Sequence, residues 1–394
     1  MKPRACSRCT SSCPCGNNPV ALDPRAAVIL TRLTLANVRN YAALDFSPAP
    51  GLNVLVGANA QGKSNLLEAI ALLGTGKSFR TSRDAEIVRE GMAGGTVSGE
   101  ARVAAGTVRL SCTLAVGTGG LRKRFTVNGH AARYAGYLGN LRVVTFVPAH
   151  LHLVGGPPAL RRALVNAALA QESRGYYATL AEYERQVTQK NALLRGTIAP
   201  DATLLAAYNE RLVDSGTRLI LARRAFVAAL AERARATYAA WVGDADGPLD
   251  LVYVCNVDVT TPTTDAVAAA FENALRLRRD LELARRTSLV GPHRDDMTFL
   301  LGARPLAAFG SQGQQRTAVL ALKVAEYATL EARSAEAPIL LLDDVLSELD
   351  AERRSAFLRG VATVEQAFIT TTAEVDVPVA ATYRISAARL EAVA

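Results

Sequence analysis

The segment that most restricts this chain is a short apolar run, Asn53-Val54-Leu55-Val56, leading straight into Gly57-Ala58-Asn59-Ala60-Gln61-Gly62-Lys63-Ser64. Behind it Leu66, Leu67, Ile70 and Leu73 recur at helical spacing, so the stretch predicts strand, loop, helix. The loop fits G-x-x-x-x-G-K-[ST] in full, in the strand-to-helix setting the pattern requires. Gly57 lets the backbone turn where a side chain would clash. Gly62 lets N–H groups approach phosphate oxygens, and the helix start aims its positive end at the same anion. Ala58, Asn59, Ala60 and Gln61 complete the cradle. Lys63 is expected to reach the β- and γ-phosphates and the Ser64 hydroxyl to ligate Mg2+. The expected ligands are therefore ATP and Mg2+, on an α/β body.

A second signal agrees with the first. Ile339-Leu340-Leu341-Leu342 reads as a strand covered on both faces, and it ends in Asp343-Asp344. A carboxylate there can hold the water shell of Mg2+, the role expected of Asp343. Asp344 is expected to polarise the attacking water. Taken alone, two acids at a strand end are also an ordinary solvated terminus. A third signal is Ser311-Gln312-Gly313-Gln314-Gln315-Arg316, just before a long helical pattern over 318–330. Ser311 can cap that helix, and small and amide residues at a helix start can also receive an anion. The order is that of an ABC-type head: signature, helix, carboxylate strand, then Ser347-Glu348-Leu349-Asp350 at the D-loop position.

The rest of the chain divides by texture. Residues 1–27 carry Cys6, Cys9, Cys13 and Cys15 with no hydrophobic residue near the cysteines to build a mini-core, and read as a disordered leader or a start assigned too early. The last two cysteines are one residue apart, poor spacing for a zinc tetrahedron. Residues 28–160 hold strand-like runs, with Gly117 to Gly120 marking a hairpin and Pro148 stopping the run 143–147. Residues 161–286 are rich in Leu, Ala, Arg and Glu, a mainly helical lobe interrupted by a strand-like stretch at 249–257. Residues 287–394 return to α/β. Cys112 and Cys255 lie in apolar sequence and read as small core residues. No disulfide framework or membrane-length apolar run is present, so a cytoplasmic protein is expected. The formal charge is +9, and 39 of the 45 basic residues are arginine. That favours a polyanionic partner, although a third of the excess sits in the leader and GC-rich coding also favours Arg.

These blocks together resemble the RecF family of bacterial recombination mediators, a branch of the SMC/ABC-type ATPases. Asn37-Val38-Arg39-Asn40-Tyr41, the phosphate loop with Asn65-Leu66-Leu67-Glu68-Ala69-Ile70, and Ser78-Phe79-Arg80-Thr81 fall in the family's order. So do Gly291-Pro292-His293-Arg294-Asp295-Asp296, the Ser311 block, and Asp343-Asp344 with Ser347 to Asp350. The resemblance spans about 30–372 and implies an ABC-type P-loop ATPase head with an inserted mainly helical lobe. It implies a homodimer that sandwiches two ATP molecules, with Ser311, Gln312 and Gly313 of one protomer meeting the nucleotide of the other. Weak DNA-dependent hydrolysis would act as a release timer. The implied partners are single-stranded and gapped double-stranded DNA and RecR, with RecO and RecA in the same pathway of replication, gap repair and SOS response. Candidate DNA-facing groups are Arg122-Lys123-Arg124, Arg223-Arg224, Arg276-Arg278-Arg279 and Arg285-Arg286. Arg294 is a candidate partner for Asp295 or Asp296, and His293 is expected to pack beside the nucleotide.

The chain departs from the family's pattern at three places. Ala60 replaces a frequent Gly, Pro148-Ala149-His150 lacks an acidic pair, and Thr370-Thr371-Thr372 stands where transporters carry His. A transporter ATPase is disfavoured by the helical lobe and the Gly-Pro-His-Arg-Asp-Asp block. A full SMC or zinc-hook head needs far more chain between Ser64 and Ser311. A decayed binding module conflicts with intact Lys63, Ser64, Asp343 and Asp344. An ATPase subunit of another ABC-type assembly, without a DNA role, is the remaining alternative.

Overall fold

The computed structural model describes residues 27–393 except 118–119, 197–199, 244–245, 350, 362 and 373–377. The four leader cysteines and Asp350 lie outside the described residues. β1 (Ile29–Val38) and β2 (Tyr41–Phe46) form a hairpin, and β3 (Gly51–Val56) delivers the loop to α1 (Lys63–Thr75). β4 (Gly94–Val103), β5 (Gly106–Gly117), β6 (Gly120–Val127) and β7 (His130–Ala132) extend the hairpin into a sheet of order β2-β1-β4-β5-β6-β7. A short helix α2 (Tyr134–Tyr137) leads to β8 (Val143–Phe146).

The helical lobe follows: α3 (Pro158–Glu172), α4 (Arg174–Leu194) and the 41-residue α5 (Ala202–Val242). After β9 (Leu249–Val254) come α6 (Thr264–Leu277), α7 (Arg279–Arg285), β10 (Asp296–Leu301) and β11 (Arg304–Pro305). The interruption expected at 249–257 is therefore a real strand, and it pairs antiparallel with β10 on the far side of α7. Then α8 (Leu306–Phe309), α9 (Gln312–Ser334), β12 (Ile339–Leu342), α10 (Ala351–Val361), β13 (Gln366–Thr371), β14 (Ala381–Ser386) and β15 (Arg389–Val393) complete the chain.

The second large sheet has the order β15-β14-β3-β13-β12-β8. All its neighbours pair parallel except the edge hairpin β14–β15. Both faces of this sheet are covered, which is why β12 and β13 are buried at every position. α1 lies between the two sheets, and Leu66, Leu67, Ile70, Leu72 and Leu73 are all within 1% of complete burial. It does not have one apolar stripe because it is covered nearly all round.

The lobe is locked by pairs of buried polar groups. Lys190 donates to Glu282 at 2.7 Å with both side chains buried, and Glu282 also accepts from the Leu289 N–H. The Gly291–Asp296 block is the centre of a second lock. Arg161 donates two bonds to the Asp296 carboxylate at 2.7 and 2.9 Å. Asp295 accepts from Tyr253 Oη and from the Asn256 N–H. Arg223 donates to the Pro292 carbonyl at 2.6 Å and to Asn166. Arg294 does not hold either acid, as the sequence had it; its guanidinium donates to the Ser288 carbonyl. The polar bonds of His293 are to Tyr183 Oη at 2.7 Å and the Ser288 carbonyl, so it packs in the lobe and not beside the nucleotide loop.

Burial lowers the His293 imidazole to about 4. The folded chain therefore keeps this ring neutral, while the unfolded chain binds a proton below the ordinary value of about 6.5. This contribution is fully present above pH 6.5 and is lost as pH falls toward 4, by up to about 3 kcal/mol. Urea unfolding at pH 7, 5 and 4 should show a steeper loss in wild type than in His293→Gln. Equal slopes would mean that the ring titrates normally.

Candidate functional site: a phosphate loop and its carboxylate pair

The loop leaves β3 against the edge hairpin. A Cβ on Gly57 would meet the Ile385 carbonyl oxygen at 2.4 Å, so no other residue fits there without displacing β14. Gly62 has φ 114, a region open to glycine. Ala60 also lies at positive φ, 63°. That costs about 1 kcal/mol of backbone strain, and the surroundings hold the loop in place. Tyr41 Oη donates to the Gly62 carbonyl at 3.1 Å, and Asn40 donates to the Gln61 carbonyl. From the other side the Ala388 and Ala387 N–H groups donate to the Gln61 carbonyl and its side-chain Oε1.

A second layer explains why three separated blocks travel together in the sequence. Glu68 is buried and takes both arms of Arg39 at 2.8 and 2.7 Å, along with the Ser78 hydroxyl. Asn65 donates to Asn40 at 2.8 Å and accepts from Arg80. The β1–β2 turn, the first turns of α1 and the 78–81 segment thus form one brace behind the loop.

Lys63 bends back over the cradle and donates to the Gly57 and Ala58 carbonyls at 2.6 and 2.8 Å. Burial lowers its pKa, and the charges of Asp344 and Asp343 oppose that shift. Ser64 Oγ donates to Asp343 Oδ1 at 2.7 Å. The same Oδ1 accepts from Thr370 Oγ1 at 3.0 Å, while Thr370 Oγ1 accepts the Asp344 N–H at 2.8 Å. Asp343 is 8% exposed, whereas Asp344 is exposed and sits at φ 51. Among the described residues neither Asp343 Oδ2 nor the Asp344 carboxylate has a side-chain hydrogen bond. Among those residues no group of three or more His, Cys, Asp or Glu could hold a metal. One hydroxyl and one carboxylate suit Mg2+ arriving with a polyphosphate, because Mg2+ keeps most of its waters.

The Ser311 block lies elsewhere on the molecule. Ser311 caps α9, accepting from the Gln314 N–H at 3.2 Å while Gln314 Oε1 accepts the Ser311 N–H at 2.8 Å. Gln314 also donates to Asp246. Ser311 and Gln312 are exposed and Gly313 half-buried. α9 packs on β8 and returns through the short connection 335–338 to start β12, so it runs against that strand. Its 23 residues span roughly 34 Å at ~1.5 Å each, and the strand about 13 Å. Its N-terminus therefore overshoots Asp343 by about 20 Å, and Ser311 cannot serve the phosphate loop of its own chain.

Other expected groups are sorted by burial. Arg223 is 2% exposed and committed to the lobe's lock, so it cannot face DNA. Lys123 is held by Asp84 and by the Gly76 carbonyl. Arg122, Arg124, Arg276, Arg278, Arg279, Arg285 and Arg286 are exposed. His150 turns inward, its ring parallel to Phe146, and burial holds its pKa well below the usual range.

The order of sheets, the loop braced between two hairpins and the remote signature can now be set beside known proteins. A family profile described as "RecF/RecN/SMC N terminal domain" matches residues 29–388. A protein of Symbiobacterium thermophilum named "DNA replication and repair protein RecF" is 41% identical over 87% of this chain and 91% of its own. The chain belongs to the RecF family. A RecF-named protein of Thermosynechococcus vestitus is 40% identical over 88% of this chain and 91% of its own. The solved "Structure of the recombination mediator protein RecF-ATP in RecFOR pathway" superposes with a TM-score of 0.86 at 30% identity, over 93% of this chain and 98% of that one. An SMC head bound to part of ScpA matches at 0.52 and 16% identity, over 93% of this chain and 97% of that one, a likeness of fold alone. The family profile runs to residue 388, past β14, and strand pairing places the last hairpin in the same sheet as β3, where the resemblance read from sequence stopped near 372.

Proposed function

We propose that this chain is an ATP-dependent DNA-binding ATPase of replication and gap repair, which dimerises on DNA with ATP bound and releases on slow hydrolysis. The observation that carries the reading is the Ser64–Asp343 bond beneath a complete phosphate loop, with Asp344 free beside it. Lys63 would exchange its two carbonyl acceptors for phosphate oxygens, a stronger, charge-assisted pairing. Mg2+, held by Ser64 and through water by Asp343, would neutralise phosphate charge. Asp344 would orient and polarise the attacking water. Ser311, Gln312 and Gly313 would close over the nucleotide of a partner copy, because α9 carries them away from their own. The contact between the γ-phosphate and the Ser311 block is then made only in the dimer, which makes ATP the closing ligand.

The DNA role rests on the relatives named for DNA replication and repair, and on the ATP-bound relative described within the RecFOR pathway. In that pathway the chain would act with RecR and RecO to load RecA on single-stranded and gapped duplex DNA. No described helix is long and apolar enough to cross a membrane. Light scattering of the wild-type protein should show about twice the monomer mass with ATP and Mg2+, and the monomer without nucleotide. A monomer under every condition, with gapped-DNA binding indifferent to ATP, would end the ATP-clamp reading.

A further inference from the structure

We infer that Thr370 is a positioning residue for this reaction, a single buried hydroxyl that sets the geometry of both acids of the carboxylate pair. The inference rests on the ATPase reading above. Thr370 is the penultimate residue of β13, which pairs parallel with β12 through Leu342 and Ile369. The next residue on each strand is then Asp343 and Thr370, side by side. Thr370 is 1% exposed. Its one hydroxyl hydrogen goes to Asp343 Oδ1 at 3.0 Å, and its oxygen receives the Asp344 N–H at 2.8 Å.

Each bond has a distinct consequence. Asp343 Oδ1 is claimed by two hydroxyls, Ser64 and Thr370, and Oδ2 has no partner among the described residues. If Ser64 turns to a metal, Thr370 alone keeps the carboxylate plane fixed, with Oδ2 left to accept a ligand. Asp344 meanwhile sits at φ 51, a left-handed conformation that a non-glycine residue holds at a cost. The bond to Thr370 pins the start of that turn, and Ser347 Oγ donates to the Asp344 carbonyl at 2.7 Å to pin its end. One side chain therefore couples the oxygen that would face Mg2+ to the backbone that aims the general base. Because its hydrogen is already donated, Thr370 cannot also donate to a γ-phosphate, which sets it apart from the His that transporters carry on this strand.

The test uses Thr370→Val, which keeps the shape and removes both bonds, and Thr370→Ser, which keeps the hydroxyl. Mg2+ is titrated against binding of the fluorescent analogue mant-ATP, with EDTA as the metal-free reference and thermal melting as a check of folding. For Thr370→Val the Mg2+ concentration at half-maximal binding should rise about tenfold, as for other groups that orient a metal ligand. Turnover should drop by a similar factor with KM for ATP unchanged, and binding in EDTA should match wild type. Thr370→Ser should restore wild-type behaviour. A wild-type Mg2+ requirement in Thr370→Val would overturn the assignment. So would a folded Thr370→Ser whose Mg2+ requirement is itself raised about tenfold over wild type, a result that can be read even when the Val variant is too unstable to assay. If wild type binds mant-ATP with no Mg2+ dependence, the ATPase reading itself falls and the assignment with it.

Discussion

Asp344→Asn is expected to lower ATP turnover by about a hundredfold or more while mant-ATP affinity stays within about threefold. The substitution preserves size and the left-handed turn, which Asn tolerates well. It also leaves the backbone bonds to Thr370 and Ser347 in place. What is lost is a basic oxygen on an exposed side chain that, among the described residues, has no side-chain hydrogen bond to occupy it. Removing its charge should lower the Lys63 pKa further, because Asp344 is the larger of the two charges that raise it. Nucleotide binding is retained because the phosphate loop and Lys63 itself are untouched. Steady-state phosphate release in the presence of gapped DNA checks this. Turnover equal to wild type would move the catalytic base to another residue.

The second large effect is on assembly. Ser311→Arg is expected to abolish the ATP-dependent dimer, leaving a monomer by light scattering at concentrations where wild type is dimeric. The side chain lies on the exposed start of α9, about 20 Å beyond its own Asp343 by helix length, so a change there should not touch nucleotide binding by the monomer. Loss of the cap costs about 1 kcal/mol, a small shift in melting temperature that is separable from lost dimerisation. Binding of mant-ATP by the variant should therefore match wild type. A Ser311→Arg protein that still dimerises with ATP would show that this helix start is not at the interface.

Much of the architecture was legible because local patterns are strong where the backbone has little choice. The run 53–56, the loop 57–64 and the leucines of 66–73 could only be strand, turn and helix, and that is how they fold. The run 339–342 was readable for the same reason, since a strand covered on both faces is apolar at every position. The edge hairpin β14–β15 was not readable. Its turn places Ala387 and Ala388 at φ 47 and 59, a geometry usually announced by Asn-Gly. An Ala-Ala pair carries no such signal, so the strand that backs Gly57 passed as a tail. Arg294 was misplaced because its neighbours Asp295 and Asp296 suggested themselves as partners, and His293 because it was expected to pack beside the nucleotide. Tyr183 and Arg161, the residues that bind His293 and Asp296, come from helices more than a hundred residues away.

The sequence by itself determined the chemistry that is present: a phosphate loop, an acid pair at a strand end, a helix capped by Ser311, and the order that unites them. Those are properties of residue type and short spacing, and short spacing is what backbone geometry ties to local structure. Only the tertiary structure decided which groups meet. It set Asp343 against Ser64 and Thr370, turned Arg223 from a DNA candidate into a buried lock, and carried Ser311 away from its own phosphate loop. Parallel strand pairing and the packing of distant helices make those choices, and neither leaves a trace in the spacing of neighbouring residues.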